Sequence, residues 1–213
     1  MKIEIENYQT SRSYLPDAGQ HIIGHQQGEE IVVYQAYNKT IAKFAVANQT
    51  LGGSAYSYNR MSWIKPNFLW MMYRCGWNEK ENQERTLALW INKSVLEEIL
   101  ENAVFSSYNP KYYPNQDAWK NELASKEVRL QWDPDHDPYG NKLTRRAIQL
   151  GLKGRLLKQF GQQQLNRIED ITDFVKEQKQ LLDNGHLDQL SVPVERVWNI
   201  NNANLNKRIG IDL

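Results

Sequence analysis

Residues 60–77, RMSWIKPNFLWMMYRCGW, hold three of the chain's seven tryptophans and three of its four methionines. The residue before a proline avoids the helical region, so RMSWI is predicted to be a short extended segment that ends at Pro66. Proline suits the first turn of a helix, and Gly76 suits the left-handed position after its last turn. The residues between them are apolar on nearly every side, which predicts a buried helix.

Three cations, Arg60, Lys65 and Arg74, accompany this apolar stretch. A core helix needs the apolar residues but not the cations, whereas the wall of a ligand site needs both. A guanidinium can bind phosphate or carboxylate while its face stacks on an aromatic ring. We therefore take Arg60 and Arg74 as candidate anion ligands, with Trp63 as an aromatic wall. The alternative is that the arginines pair with nearby acids and that the tryptophans only pack the core.

The bulk composition predicts one large domain of ordinary globular character. The chain has 213 residues, 40% hydrophobic and 24% charged, with a net charge of +1. A charge so close to balance argues against a protein that binds nucleic acid by electrostatics alone. The single cysteine, Cys75, allows no internal disulfide and favours a reducing compartment. No secretory signal and no apolar run long enough to span a bilayer is seen, so we expect a cytoplasmic protein without a membrane partner.

Strand and helix patterns alternate without a strict βαβ rhythm. Residues 31–36 and 85–92 read as strands, and Asn38 caps a helix that ends before a Gly-Gly pair. Ser94 followed by Glu97 is a capping box for a further helix. This order favours an α+β fold, a single compact domain with a central mixed or antiparallel sheet and packed helices.

The predicted boundaries divide the chain into three parts. Residues 1–30 form a loop-rich N-terminal segment, residues 31–198 the α+β domain, and residues 199–213 a polar tail. Further strands are expected at residues 128–132, before a turn-rich loop, and in the RRAIQLGL stretch near residue 148.

Several of these stretches together resemble a known family. VYQAYNKTIAKFAV, RMSWIKPNFLWMMYRCGW, the QER before LAL, VRLQWDPDHDP and RRAIQLGL are similar to the family catalogued as domain of unknown function 4291. The similarity covers roughly residues 30–198. It implies no activity, so function has to be argued from the residues.

A weaker resemblance is to small ADP-ribosyltransferase-type domains, carried by a strand ending VYQAY, a short helix and a Gly-Gly turn. Such domains use a polar residue on the first strand, an aromatic or hydroxyl residue on the second and a late Glu or Gln near the nicotinamide ribose. The resemblance implies that Gln35, the Tyr56–Tyr58 pair and Glu195 take these roles. Arg60, Arg74 or Arg146 would clamp phosphate, and Arg60 and Glu195 are the catalytic candidates. NAD would be a substrate, and no cofactor is firmly implied.

Strand alternation puts Gln35 and Tyr37 on one face of the strand and Tyr34 on the other. A side-chain amide can recognise a nicotinamide, a base edge or a peptide. Gln35 and Tyr37 are therefore candidate ligand-binding residues. The alternative is a buried glutamine whose amide is satisfied by backbone groups.

The segment QWDPDHDP, residues 131–138, carries three aspartates at alternate positions, as calcium loops do. The similarity ends there, because Pro138 and Thr144 stand where such a loop needs Gly and Glu. We expect no metal site. Gln131 and Asp133 are candidate ligand-binding residues, with Asp133 or His136 as a candidate general base and a structural turn as the alternative.

The stretch from residue 138 to residue 168 contains no acid, which suits RNA or a phosphate-bearing ligand. In a strand, Arg146 and Gln149 point to opposite faces, and both are candidate ligand-binding residues. We expect the partner to be a nucleotide or another phosphate-bearing small molecule. The alternatives are a non-catalytic RNA-binding module centred on residues 142–167 and a protein that docks a partner through exposed tryptophans. The basic residues are Lys142, Arg145, Arg146, Lys153, Arg155, Lys158 and Arg167.

Overall fold

Two β-sheets meet at the segment around Pro66, and this junction organises the molecule. The structure, a computed structural model, describes residues 3–212. The strands are β1 (Ile5–Asn7), β2 (Ile23–Gln27), β3 (Glu30–Tyr37), β4 (Ser62–Ile64), β5 (Arg85–Asn92), β6 (Ala103–Phe105), β7 (Val128–His136), β8 (Lys142–Leu152), β9 (Arg167–Asp170), β10 (Ser191–Pro193) and β11 (Glu195–Val197). The helices are α1 (Tyr8–Tyr14), α2 (Lys39–Asn48), α3 (Phe68–Cys75), α4 (Lys93–Glu101), α5 (Gln116–Ser125), α6 (Gly154–Gln163), α7 (Thr172–Asp183) and α8 (Ala203–Ile209).

The larger sheet has the strand order β11-β2-β3-β5-β9, and all its pairs are antiparallel. Its centre is the pair β3 and β5, whose sequences EIVVYQAY and RTLALWIN are buried on both faces. Such continuous β-branched and aromatic runs are typical of strands covered on both sides. β1 and β10 form a separate two-stranded ribbon.

The smaller sheet has the order β4-β8-β7-β6, with the long β7–β8 hairpin at its centre and β6 parallel to β7. One face carries Leu130, Ile148 and Leu150 into the main hydrophobic core. Alternation puts Gln131 and Gln149, directly paired across the hairpin, on the other face. This sheet therefore has one apolar face and one polar face.

A single bridge between Tyr34 and Lys65 joins the two sheets. The Tyr34 N–H donates to the Lys65 carbonyl at 2.7 Å, and the Lys65 N–H donates to the Tyr34 carbonyl at 3.2 Å. Gln35 directly follows Tyr34, and Trp63 lies two residues before Lys65. Both are thereby held beside the polar face of the smaller sheet. Two hydrophobic clusters lie on either side of β3 and β5, and α3 belongs to the smaller one. The α+β fold, with one antiparallel and one mixed sheet in a single compact domain, is confirmed.

The buried helix predicted after Pro66 is present, although it begins two residues later. Asn67 is the N-cap, because its side-chain oxygen accepts a hydrogen bond from the Trp70 N–H at 2.7 Å. Gly76 closes the helix in the left-handed region, with φ of 57°, as the sequence predicts. Trp70 and Trp77 are 4% and 8% exposed, so an exposed tryptophan patch for docking a partner is not found in this segment.

The predicted capping box at Ser94 is wrong, since α4 already begins at Lys93 and Asn92 is its N-cap. β5 runs directly into the helix, and the Lys93 N–H donates to the Glu29 carbonyl at 2.8 Å. That contact with the neighbouring β-turn satisfies one N–H of the first turn of α4.

The turn-rich loop expected after residue 132 is also wrong in its first half, because β7 continues to His136 past a β-bulge at Pro134. The extension is stabilised inside the protein. Asp135 is 1% exposed and pairs with the Arg145 guanidinium at 2.6 Å. This buried ion pair replaces the solvent contacts that an Asp-Pro loop would make.

The two ends of the chain are more ordered than their polar composition predicts. Within the segment expected to be loop-rich, β1 pairs with β10, and β2 pairs with β3 and β11. The tail contains α8, which buries Leu205 and Ile209 in the main core. The Trp132 indole N–H also donates to the Ile209 carbonyl at 2.8 Å. Pairing with distant strands orders the N-terminal segment, and packing against the main core orders the tail; local composition reveals neither contact.

Candidate functional site

A cleft of about 430 Å³ lies at the junction of the two sheets. β3, β4, α3, β7 and β8 all contribute to it. Four glutamines and two cations share its wall with one indole ring, so we call it the glutamine cleft. Its lining residues are Gln35, Ala36, Met61, Trp63, Lys65, Met71, Arg74, Gln83, Gln131 and Gln149. Five of the ten site residues predicted from the sequence are thus brought together.

The edge strand β4 supplies one side of the cleft. Met61, Trp63 and Lys65 alternate along it and point the same way. Trp63 pairs with Gly151 of β8. A Cβ at Gly151 would lie 2.8 Å from Trp63 Cε2 and 2.6 Å from Met61 Sδ. The glycine therefore leaves room for the indole and the thioether to lie directly on the sheet.

Lys65 is 5% exposed, and its Nζ donates to the Trp63 carbonyl at 3.2 Å. No carboxylate in residues 3–212 forms an ion pair with it. Burial, the larger cause, and the neighbouring Arg74 guanidinium together lower the pKa of Lys65 to about 7. Cys75 and Asp133 act in the opposite direction more weakly. The glutamine cleft therefore holds an amine that loses its proton near neutral pH.

The amides on the sheet side form a fixed network. Gln149 Nε2 donates to Gln131 Oε1 and to Asp133 Oδ2, both at 2.7 Å. Across the cleft, Gln35 Nε2 donates to the Ser62 hydroxyl at 2.6 Å, while its Oε1 is buried without a partner. The nitrogen and oxygen of a side-chain amide are assigned from such contacts. What the structure shows is that one end of the Gln35 amide is hydrogen-bonded and the other end is not. Buried polar groups are nearly always hydrogen-bonded, so this unsatisfied end in a cleft wall is a candidate recognition group.

Tyr37 lies behind the glutamine cleft rather than in it. It is 7% exposed, and its ring packs edge-on against Tyr56 with the centroids 6.0 Å apart. Tyr56 in turn contacts Tyr58 at 4.8 Å. Burial raises the pKa of Tyr37 well above its usual value. The tyrosines pack against the main core and do not contribute to the lining.

A second cleft of about 650 Å³ adjoins the first, and Gln131 lines both. We call it the Arg146 cleft, because Arg146 and Lys111 are the cations in its wall, with Asp133 and Asp212 as the acids. Arg146 is exposed in this cleft, whereas Gln149 lines the other. The two side chains thus line different clefts.

The two predicted catalytic residues do not line either cleft. Arg60 is exposed in the loop before β4. Glu195 is 5% exposed, and its carboxyl group accepts from the Phe68 N–H at 2.8 Å and from Asn67 Nδ2 at 3.4 Å. Burial raises the pKa of Glu195 well above its usual range. Its contacts are those of a group that stabilises the first turn of α3.

His136, a candidate general base, is 2% exposed and packs against two aromatic rings. Its ring centroid is 3.6 Å from that of Tyr73 and 5.3 Å from that of Trp70. Burial lowers the pKa of His136. It does not line the glutamine cleft, whereas Asp133 reaches that cleft through Gln149.

The basic stretch is not a uniform surface. Arg145 forms a buried ion pair with Asp135. Arg167 forms an ion pair with Glu169 at 2.8 Å, and its guanidinium lies 4.2 Å from the centroid of the Trp90 ring. Arg146 is the member of the stretch that lines a described cleft.

Sequence analysis missed Lys65, Met61 and Gln83 as site residues. For the first two, a signal was present, since alternation through RMSWIK puts Met61, Trp63 and Lys65 on one face. Gln83 lies in a loop with no periodicity, and only the tertiary structure brings it to the cleft.

Among residues 3–212, no cluster of three or more His, Cys, Asp or Glu side chains could hold a metal ion. None of the helices described is long and apolar enough to cross a bilayer.

Comparison with known proteins identifies the family. No curated protein matches the chain. A family model described as Domain of unknown function (DUF4291) matches residues 21–198, which include every strand and helix that lines the glutamine cleft. The chain therefore belongs to the DUF4291 family.

Proposed function

We propose that the glutamine cleft binds a nucleotide, with NAD as the best candidate, and that the protein is a transferase of ADP-ribosyltransferase-like type. The observation that carries the proposal is the convergence of Gln35, Trp63, Arg74 and Gln149 from four separate elements on one cleft. Ligand sites are commonly clefts of this size with a few polar groups that converge.

The lining chemistry matches the parts of a nucleotide. Trp63 offers an aromatic face for a planar ring. The unsatisfied amide end of Gln35 is complementary to a carboxamide or to a base edge, because an amide both donates and accepts. Arg74 supplies a guanidinium for phosphate oxygens. A cleft of about 430 Å³ offers room for the nicotinamide mononucleotide half of NAD.

The polar residues also follow the order expected of ADP-ribosyltransferase-type domains, with two changes of assignment. Gln35 on β3 keeps the first-strand role. Ser62 on β4, bonded to Gln35, takes the hydroxyl role in place of the Tyr56–Tyr58 pair. Gln149 on β8 takes the late Glu or Gln role in place of Glu195.

Breaking the bond between nicotinamide and ribose develops positive charge on the ribose. Asp133 is held at 2.7 Å from the Gln149 amide, so a carboxylate and two amide dipoles lie on the same side of the site. Fixed negative charge aimed at a developing cation lowers the barrier without further reorganisation. In this proposal Asp133 acts through Gln149 and therefore positions it.

Binding and turnover test the proposal directly. We expect NAD to raise the melting temperature of the protein, because a ligand that binds only the folded state stabilises it. Titration calorimetry should find that Trp63→Ala and Gln149→Leu weaken NAD binding, whereas Arg60→Ala, an exposed arginine outside the cleft, does not. Release of nicotinamide from NAD, followed by chromatography, tests the transferase part.

A protein that shows no stabilisation by NAD, nicotinamide or ADP-ribose contradicts the proposal. Loss of binding in Arg60→Ala with retention in Trp63→Ala would contradict the assignment to the glutamine cleft. Binding without nicotinamide release supports a nucleotide site but not the transferase.

RNA binding is the second candidate, favoured by the presence of Lys111 and Arg146 in one cleft with Tyr108 and Tyr112. Bases stack on aromatic rings, and cations contact the backbone. Binding of a short single-stranded RNA that falls steeply with salt and is lost in Arg146→Ala would support this function instead.

A further inference from the structure

We propose that Lys65 is a nucleophilic amine that forms an imine with the carbonyl carbon of an anionic aldehyde or ketone bound in the glutamine cleft. This inference goes beyond nucleotide binding and does not require NAD to be the ligand. It concerns the same cleft but assigns a covalent step to it.

The first support is the solvation of the amine. The Lys65 side chain is 5% exposed and lies in the wall of the cleft. Its nitrogen has one hydrogen bond, to the Trp63 carbonyl at 3.2 Å, and forms no ion pair with a carboxylate of the described residues. A buried ammonium without a paired anion is costly, so the neutral amine is favoured. The neutral form is the nucleophile.

The second support is the charge around it. From α3, the Arg74 guanidinium repels a proton on Lys65, while the Cys75 thiol acts in the other direction. From β7, Asp133 also favours the protonated form, but its oxygen is engaged by Gln149. The balance puts the pKa of Lys65 at about 7, so a large fraction of the amine is neutral at physiological pH.

Lys179 shows the opposite arrangement within the same protein. Its ammonium lies 2.5 Å from Asp183 and 3.6 Å from Glu79, and these carboxylates raise its pKa. A lysine that serves as an ion-pair partner is therefore built differently from Lys65. Packing alone does not need a lysine at a buried position without an anion, because methionine fills similar space.

Imine formation between Lys65 and a carbonyl compound requires no external oxidant or reductant. The Lys65 nitrogen attacks the carbonyl carbon, and a C–N bond forms. The carbonyl oxygen leaves as water, taking both amine protons, and a C=N bond remains. The cleft thus needs only a carbonyl compound with the right charge and shape.

The lining defines that compound. Arg74 favours a phosphate or carboxylate on the ligand, and the amides of Gln131 and Gln149 favour hydroxyl groups beside the carbonyl. Open-chain sugar phosphates have both features. ADP-ribose, whose reducing end opens to an aldehyde, would link this reactivity to the proposed nucleotide site.

Trapping with borohydride tests the inference on the intact protein. Pyridoxal 5′-phosphate, a phosphate-bearing aldehyde, is added as the probe, the imine is reduced, and the modified lysine is located by peptide mass spectrometry. We expect Lys65 to be modified at least about tenfold faster at pH 7 than exposed lysines, because a free lysine side chain has a pKa near 10.4. The rate should rise with pH around a midpoint near 7, which a structural lysine would not show.

Three variants and a second probe sharpen the result. Lys65→Met should abolish the fast phase, whereas Lys111→Met, an exposed lysine of the Arg146 cleft, should leave it intact. Arg74→Ala should slow the reaction with pyridoxal 5′-phosphate more than that with pyridoxal, which has no phosphate. Modification spread evenly over surface lysines, or a fast phase retained in Lys65→Met, overturns the inference.

The two proposals fail separately. If NAD stabilises the protein while Lys65 reacts no faster than other lysines, the nucleotide site stands and the imine does not. If Lys65 reacts selectively and no nucleotide binds, the imine stands alone. Reduction of a mixture with ADP-ribose, followed by mapping of the adduct to Lys65, would support the link between them.

Discussion

Gly151 lies directly beneath the indole of Trp63, so close that a Cβ at this position would be 2.8 Å from the ring atom Cε2. The two residues are register partners on β8 and β4, and together they set the position of the aromatic wall of the glutamine cleft. The contact makes the ring position depend on the absence of a side chain on the neighbouring strand.

Gly151→Ala should destabilise the protein and displace the indole. Overpacking of this kind costs about 1–3 kcal/mol in the free energy of unfolding. In a Trp63→Ala background the same substitution should cost less, because much of the clash is gone. Urea unfolding of the two single variants and the double variant measures this coupling. An equal cost of Gly151→Ala in both backgrounds would contradict the predicted contact.

Glu195 should act on stability and not on ligand binding. Glu195→Ala leaves the Phe68 N–H without its acceptor, at a cost of about 1–3 kcal/mol. Glu195→Gln keeps an acceptor oxygen and should retain stability at neutral pH. Urea unfolding of both variants measures the stability, and titration calorimetry with NAD measures the binding. A large loss of binding in a fully folded Glu195→Gln protein would restore Glu195 as a catalytic candidate.

Glu195 should also make stability fall as pH rises above about 4.5. The buried carboxyl has a raised pKa, so between the unfolded value and the folded one the native state holds more protons. Stability is then full below the unfolded pKa and is lost on going upward through this window. Comparing wild type with Glu195→Gln at several pH values isolates the effect. Identical pH profiles for the two proteins would show that the folded pKa is not raised.

Lys65 should contribute the opposite pH dependence. Its folded pKa is about 7 and its usual value 10.5, so between them the unfolded state holds more protons. Stability therefore rises with pH through this window, by about 1.4 kcal/mol per pH unit for one proton. Lys65→Met should remove that slope between pH 7 and pH 9 in urea unfolding. A wild-type slope that persists in the variant would refute the assignment.

The buried pair of Asp135 and Arg145 should couple strongly. Removing one partner leaves an unpaired buried charge and costs about 3–5 kcal/mol, so Arg145→Met should be strongly destabilising. The double variant with Asp135→Asn should recover part of that loss. Lys120→Met, which breaks the exposed 4.0 Å contact with Asp117, is the matched control and should change little. Similar effects for both arginine and lysine variants would contradict the role of burial.

The features of the fold that were predicted correctly from the sequence are those determined by interactions between residues close together in the chain. The β3 and β5 runs, the Asn38 cap of α2 and the left-handed Gly76 each follow from propensity and capping within a few residues. Alternation along a strand likewise predicts opposite faces for Arg146 and Gln149 without any tertiary information. The capping box at Ser94 failed because a distant carbonyl, that of Glu29, engages the start of α4.

The sequence by itself determined the α+β class, the buried helix after Pro66 and the residue types available for a site. The tertiary structure decided which of those residues meet. The bridge between Tyr34 and Lys65 brings Gln35 and Trp63 beside the hairpin amides, whereas Glu195 is turned to the first turn of α3. The physical reason is that conformational preferences act over a few bonds, while the solvation and pKa of a group such as Lys65 depend on neighbours far away in the chain.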